Sequence, residues 1–442
     1  MTGAIKQRSP TSTRHRILIA GGSVLAIAAV VLALLYSSSG FWRIAAQPIA
    51  TALAGAGAIS AGVLAFANGN RTRQQDREHH NDKAQREREA SLRDRYTTVA
   101  GQVADASPAI RLAGVYALTS LADDWHKFDD DQERQVCINL LRAYLRVPVL
   151  DARTEMASAN QLAEQEVRQT IVRIICERRL LDGGEKCWRT AETSLARSSL
   201  KYCDLNSITL PGVDLTGADL RQVELASADL QGANLEHADL SDARLSFADL
   251  AHARLDRAQM RQADLDSVDL AGASLVHAHL ESANLSGAQL TDADLRDAKL
   301  ADARLWEVML RRAKLTKVDL SRADMVDAEL PHANLQEAIL TSASAWNTSF
   351  EGADLRGANL QEADISQSTL DKANFANADL NGADLQNCSC VGAVFRGSNL
   401  RRTNLAGADF TDADLTEADL TDVKFSPKTV WPQGFQPPPT KA

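Results

Sequence analysis

The sequence predicts a mainly β solenoid, a four-sided coil of short strands, preceded by an α-helical module and a two-helix transmembrane hairpin. Three observations carry this expectation. An unbroken five-residue frame runs from position 195 to 425. Two long uncharged stretches lie near the N-terminus, at 17–36 and 44–67. Between them and the repeat stand three segments with a single apolar face at helical spacing.

The chain has 442 residues and a formal net charge of −10, unevenly spread. Residues 1–190 hold 25 Lys and Arg against 20 Asp and Glu, whereas residues 191–442 hold 23 against 38. A mildly basic front and an acidic back point to two regions in different surroundings. Only 5% of residues are aromatic, so packing on large rings does not dominate. The six cysteines form no C-x-x-C pair and have no His at zinc spacing. Cys388-Ser-Cys390 is a weak metal or redox signal. Both thiols fall at inward positions of the repeat, so reduced cysteines in a cytosolic setting are expected.

After a basic segment at 1–16, the stretch 17–36, "ILIAGGSVLAIAAVVLALLY", is long enough to cross a bilayer as a helix. A second uncharged stretch at 44–67 follows after seven residues, which argues against a cleaved signal peptide. Lys6, Arg8, Arg14 and Arg16 precede the hairpin (17–67), and Arg71, Arg73 and Arg77 follow it; the loop holds only Arg43. That bias predicts a two-pass protein of the cytoplasmic membrane with both termini cytoplasmic. Ala54, Ala58 and Gly62 form a small-residue face for close helix approach, within the hairpin or between chains of a homo-oligomer. Nothing ionisable lies in either span, so an anchor is expected rather than a transporter.

Residues 68–95 are nearly all polar and read as a solvated, ion-paired helical stalk; its basic residues could add affinity for anionic headgroups. His79-His80 has no further ligand at a useful spacing. The module at 96–190 contains three amphipathic segments. The first, 108–125, begins with Pro108 and places Ile110, Ala113, Ala117, Leu118 and Leu121 on one face. The second, 130–148, opens with acids and stops at Pro148. The third, 163–180, carries Val167, Ile171, Ile174 and Ile175.

From 195 to 425 every fifth residue gives 47 positions, of which 45 are Leu, Ile, Met or Phe; Ala345 and Cys390 are the exceptions. Two residues earlier stands Ala or another small or β-branched residue, such as Val213, Ser398 or Cys203. Five residues overshoot one α-helical turn by about 140°, so these leucines would spiral around a helix. Five is odd, so they would alternate faces on a flat strand. All point inward only if the chain turns once per five residues and closes after four sides. Glycines at 217, 232, 272, 287, 352, 357, 382, 392, 397 and 407 stand two after the apolar position, where a corner needs permissive backbone angles. Twenty residues per coil give about 11–12 coils and a length of roughly 55 Å over 191–425. Residues 426–442 supply a C-terminal cap, in which Trp431 and Phe435 cover the last coil near Phe425, and a Pro-rich tail.

The units "ADLRQ", "ADLQG", "ANLEH" and "ADFTD" follow the pattern A-[DN]-L-x-x, and the region resembles the pentapeptide repeat family. The resemblance implies a right-handed quadrilateral β-helix with Leu and the Ala two before it inside. The phrases Arg111-Leu112-Ala113-Gly114-Val115-Tyr116-Ala117-Leu118, Arg134-Gln135-Val136-Cys137, Ala143-Tyr144-Leu145-Arg146 and Val167-Arg168-Gln169-Thr170-Ile171 are similar to a module preceding such repeats in membrane-attached actinobacterial members. It spans about 95–182 and brings no assigned chemistry.

One stretch, "ADARLWEVMLRRAKL" (301–315), departs from the acidic monotony. Residues 296–322 hold eight basic residues (Arg296, Lys299, Arg304, Arg311, Arg312, Lys314, Lys317, Arg322) and four acids. Trp306, Val326 and Trp346, twenty apart, share one outward column. With Met309, Arg304, Arg311 and Arg312 they form a candidate protein-binding patch, because aromatics with Arg mark interfaces. A second reading stays open: Ala345 underfills its site, so Trp346 tucks partly inward, and Trp306 lies over Met325. His237 and His277, with Arg257 between, share a face and read as surface variation. No nucleophile–base set, phosphate loop or metal-ligand cluster is present, so no enzyme activity, cofactor or metal is expected. The expected function is a membrane-anchored, protein-binding scaffold or adaptor. Its partners are unidentified proteins and, through the hairpin, the lipid bilayer, without direct nucleic-acid binding. The alternative is a DNA mimic acting on a topoisomerase, as some soluble pentapeptide proteins that protect gyrase do; the basic belt interrupts such a mimic.

Overall fold

The computed structural model describes residues 42–128, 130–149, 155–181 and 186–437. The chain divides into two compact units, Met1–Ala90 and Ser91–Ala442. Four helices precede the coil: α1 (Trp42–Val103), α2 (Pro108–Lys127), α3 (Asp131–Arg146) and α4 (Glu155–Leu180).

The transmembrane hairpin is corrected. Its first stretch, 17–36, lies outside the described residues. The second, 44–67, is the leading part of α1, which continues through the polar residues 68–95. Among the described residues no helix is long and apolar enough to cross a membrane. The stretch does not stand as a separate span: α1 runs on without a break into charged residues from Arg71 to Arg95, so the helix as a whole is polar. The two-pass topology, the membrane localisation with cytoplasmic termini and the bilayer contact drawn from the hairpin lose their basis with it. Within the stalk, Lys83 pairs with Glu87 across one turn at 3.9 Å.

In the second unit, α2, α3 and α4 pack around Val115, Leu118, Leu121, Trp125, Ile138, Leu141, Leu145, Ile171 and Ile175, all buried. Pro108 opens α2, and the Asp130 carboxylate caps α3 by accepting from Glu133 N–H at 3.1 Å. The buried face of α2 differs from the expected one. Ile110 and Ala113 are exposed, while Gly114, Val115, Ala122 and Trp125 turn inward. Gly114 explains the rotation, because a Cβ there would lie 2.8 Å from Val103 N. Only a glycine lets α2 approach the end of α1 so closely.

From Ser199 onward each residue preceding the apolar position pairs in parallel with the residue twenty later, from Ser199↔Asp219 to Asn404↔Lys424. Backbone hydrogen bonding accounts for the five-residue grammar. In the unit around Leu305, Leu305 N–H donates to Asp324 O and Glu307 N–H to Val326 O, both one coil on. Arg304 N–H donates to Ala283 O one coil back, and Val308 N–H closes the corner on Leu305 O. The fifth N–H, just after the apolar residue, needs a side-chain acceptor. Where the preceding residue is Asp or Asn it provides one, as Asp319 does for Ser321 and Asp409 for Thr411, with Asp324 the exception. This is the physical content of the recurrent [DN].

The inward small residue has a polar variant. Thr348, Ser368 and Cys388, stacked twenty apart, donate to the carbonyls of Met325, Ala345 and Ile365. Ala345 is fully buried beside this ladder. Burial pushes the Cys388 thiol up to about 12 and raises that of Cys390 well above its ordinary value. The inward ladder, mostly Leu, stays buried as far as Leu415, and Leu420 and Phe425 are less covered.

Both ends are closed. Helix α4 lies along the backbone of the first coil. Arg168 donates to Ser199 O at 2.7 Å, Arg173 to Asp204 O at 3.1 Å and Cys176 to Thr209 O at 2.6 Å. Ser199 N–H in turn donates to Leu145 O of α3 at 2.6 Å. At the far end the register slips by one, with Asp409 pairing Val430. Thr429 Oγ1 donates to Leu405 O at 2.9 Å and accepts from Gly407 N–H. Trp431 lies against Phe410, Phe425 and Phe435, at centroid distances of 5.7, 5.6 and 5.3 Å. Capping removes the open edges that would pair with another chain.

Candidate functional site

The corner after each apolar position presents two side chains to solvent, and the second of them has a positive φ. On one corner, backbone bonds from Gly287 to Trp306, Glu307 to Val326 and Asp327 to Trp346 stack the pairs Trp306-Glu307, Val326-Asp327 and Trp346-Asn347. Trp306 is 49% exposed and Trp346 37%; Val326 between them is half-buried. Strand spacing puts the two indoles about 10 Å apart. None of the three has the Asp or Asn acceptor bond that covers the corner N–H elsewhere. Arg304 and Ser344 stand in two of the acceptor positions, and Asp324 Oδ1 in the third is buried without a partner.

The remaining patch residues are spread over neighbouring sides. Arg304 is exposed beside Trp306 on the same unit, whereas Met309, Arg311 and Arg312 belong to the next side. The Trp column and Arg304 therefore form one surface, with Met309 and the two arginines around the corner.

Charge pairing narrows the basic belt. Arg312 grips Asp292 bidentately at 2.7 and 2.5 Å, and Arg322 grips Asp302 at 2.7 Å through both nitrogens, each across one coil. Arg296 and Lys314 share Asp294, and Lys317 meets Glu337 at 3.6 Å. The hydrogen bond from Arg312 holds the Asp292 carboxyl below its ordinary range, and Arg322 does the same for Asp302. Lys299, Arg304 and Arg311 make no ion pair among the described residues. Arg304 is thus an uncommitted cation beside the Trp column.

Two exposed apolar residues escape sequence reasoning. Phe247, 64% exposed, stands on the same corner as Trp306 three coils earlier, and Ile339 is exposed on another side. Phe247 holds φ +62, an unusual setting for an aromatic residue. A large apolar ring where the frame otherwise places glycine or a polar residue is the signal that finds it. His237, Arg257 and His277 line an open cleft of about 460 Å³ with Asp256 and Arg296. Ser274 and the Val276 N–H already bind Asp256, and Arg296 is held by Asp294.

Comparison with known proteins gives the following. A description of pentapeptide repeats, in 8 copies, matches residues 191–225, 228–266, 263–300, 288–327, 319–357, 358–389 and 388–426. No curated protein matches the chain. Among solved structures it is similar to HetL, a pentapeptide repeat protein involved in heterocyst differentiation regulation from the cyanobacterium Nostoc sp. strain PCC 7120. There the identity is 29%, covering 52% of this chain and 93% of that one, with a TM-score of 0.33. It is also similar to Rfr23 from the cyanobacterium Cyanothece 51142, at 32% identity over 23% of this chain and 63% of that one, with a TM-score of 0.19. QnrB1, a plasmid-mediated fluoroquinolone resistance protein, shares 18% identity over 39% of this chain and 89% of its own, with a TM-score of 0.25. The repeats matched, the twenty-residue register and the inward Leu ladder agree: the chain belongs to the pentapeptide repeat family.

Proposed function

We propose that the chain is a non-enzymatic protein-binding scaffold whose contact surface is the Trp306–Val326–Trp346 column with Arg304. The observation that carries this reading is the pair of exposed indoles on one corner, beside a cation without an ion pair. Exposed Trp flanked by Arg is the composition of interface hot spots, since indole burial and guanidinium hydrogen bonds both reward desolvation. A rigid coil supports such a site because its positions are fixed by backbone bonds to both neighbours. The DNA-mimic alternative has less support: Arg244, Arg304, Ser344 and Lys424 interrupt the Asp, Glu and Asn of the bridge-position column of this side.

The test is proximity labelling and affinity capture from the full chain, comparing the native protein with a W306S/W346S variant. Captured proteins are expected to fall away in the variant while its circular dichroism is unchanged. An unchanged partner set with folded variant sinks the proposal. A gyrase supercoiling assay with the full chain is expected to show no protection.

A further inference from the structure

The corner that carries the Trp column is approximately symmetric about Val326. One coil before it stands Trp306, and one coil after it Trp346. Four coils before it stands Phe247; four coils after it stand Ala406 and Gly407. The intervening backbone bonds, Phe247 to Asp266, Ser267 to Ser286, Asn347 to Ser366, Gln367 to Gln386 and Asn387 to Ala406, keep these positions on one corner.

We infer that this corner docks onto a second copy of the chain, antiparallel, with the two-fold axis through Val326. The inference rests on the reading of the Trp column as a binding surface and names its occupant. A two-fold interface must be self-complementary, because each residue meets the residue related to it by the axis. Here the axis sets Trp306 of one copy against Trp346 of the other, and Val326 against itself. It also sets Phe247, the most exposed large apolar residue of the coil, against Ala406 and Gly407, where small residues leave room.

Charges agree with this register. Glu307 faces the neutral Asn347, and Asp266 faces the neutral Gln386. Asp327 lies near its own symmetry mate, and Asn347 Nδ2 already donates to it at 2.5 Å. Arg304, one coil from the axis and without an ion pair, supplies the cation that such an arrangement needs. Moving the axis by one coil would set Trp306 or Trp346 against polar corners and Phe247 away from the small pair. Nine coils at about 4.8 Å span ~40 Å, and a strip ~15 Å wide covers on the order of 600 Å² per partner, near the ~800 Å² of a standard interface.

The experiment is sedimentation velocity on the full chain over a concentration series, with cysteine cross-linking. A dimer is expected whose dissociation constant rises on the order of tenfold or more in folded W306S/W346S. V326C is expected to cross-link to itself. F247C mixed with A406C is expected to cross-link, and F247C alone is not. A monomer at every concentration, a dimer indifferent to W306S/W346S, or F247C joining itself overturns the inference. A monomer that still captures a different protein through Trp306 overturns the dimer alone; a monomer whose captures ignore Trp306 overturns the binding surface as well.

Discussion

At the scale of the residue, the coil's corners decide which side chains are tolerated. Each corner holds one residue at positive φ, and most of these are not glycine, as with Glu307 (φ +54) and Arg312 (φ +56). The side chain there leans over the same position one coil later. Where that later residue is Gly, the leaning group fills the vacancy. The His252 ring lies over Gly272 and the His332 ring over Gly352, in each case 2.6 Å from where a Cβ would stand. Gly272→Ala therefore meets two costs, a left-handed backbone and a ring that must move. About 1–2 kcal/mol of stability is expected to be lost, read as a lower urea midpoint. The double variant H252A/G272A separates the two, because removing the ring should restore the steric part and leave the backbone part. Equal midpoints for single and double variants would refute the packing account.

At the scale of the element, stability depends on the two caps. Each coil touches only its neighbours, so damage at an end stays local. Arg168 is buried and bonds Glu164, Leu145 O and Ser199 O together. Arg168→Ala would strand these acceptors, and about 3 kcal/mol is expected to be lost at the N-terminal coils. Thr429→Val removes the bond to Leu405 O and the acceptor for Gly407 N–H, at a cost of about 1–2 kcal/mol. Hydrogen exchange checks both. Protection should fall near residues 199–215 in the first variant and near 405–430 in the second, and uniform loss along the coil would contradict nearest-neighbour stability. These elements also show what the sequence made legible. The inward frame, Leu305 and Leu310 included, followed from a period that permits only one closing geometry. The orientation of α2 did not, because Gly114 packs against Val103, a tertiary contact without periodic signature. The 44–67 stretch misled, because its uncharged run was read alone, whereas it is the leading part of one helix that continues through charged residues. The Trp column was readable from its spacing of twenty. The neutralisation of Arg312 and Arg322 by carboxylates one coil away required the folded register.

At the scale of the molecule, the acidic second half sets the response to pH. Residues 191–442 hold 23 basic against 38 acidic residues, yet many carboxylates are engaged rather than idle. The Arg356 guanidinium holds Asp354 below the ordinary carboxylate range, and the hydroxyls of Thr416 and Thr421 do so for Asp414 and Asp419. Other acids accept corner N–H groups, as Asp319 and Asp409 do. A carboxylate whose folded pKa is lowered binds its proton more weakly in the folded chain than in the unfolded one. Its stabilisation is therefore present above the unfolded value of about 4 and disappears as pH falls through the folded value. Protonation also removes the partners of Arg312, Arg322 and Arg356, leaving cations stacked on the coil. Both effects act in one direction. Thermal melting is expected to be nearly flat from about pH 5 to 7 and to fall steeply below about pH 4, with the repeat region losing order as one transition. D292N, which keeps the shape of one bridge and removes its titration, should lower the melting temperature slightly at neutral pH and narrow its gap to the native chain in acid. A melting temperature that rises on acidification would mean that repulsion among the acids outweighs their engagement with Arg, Thr and backbone donors.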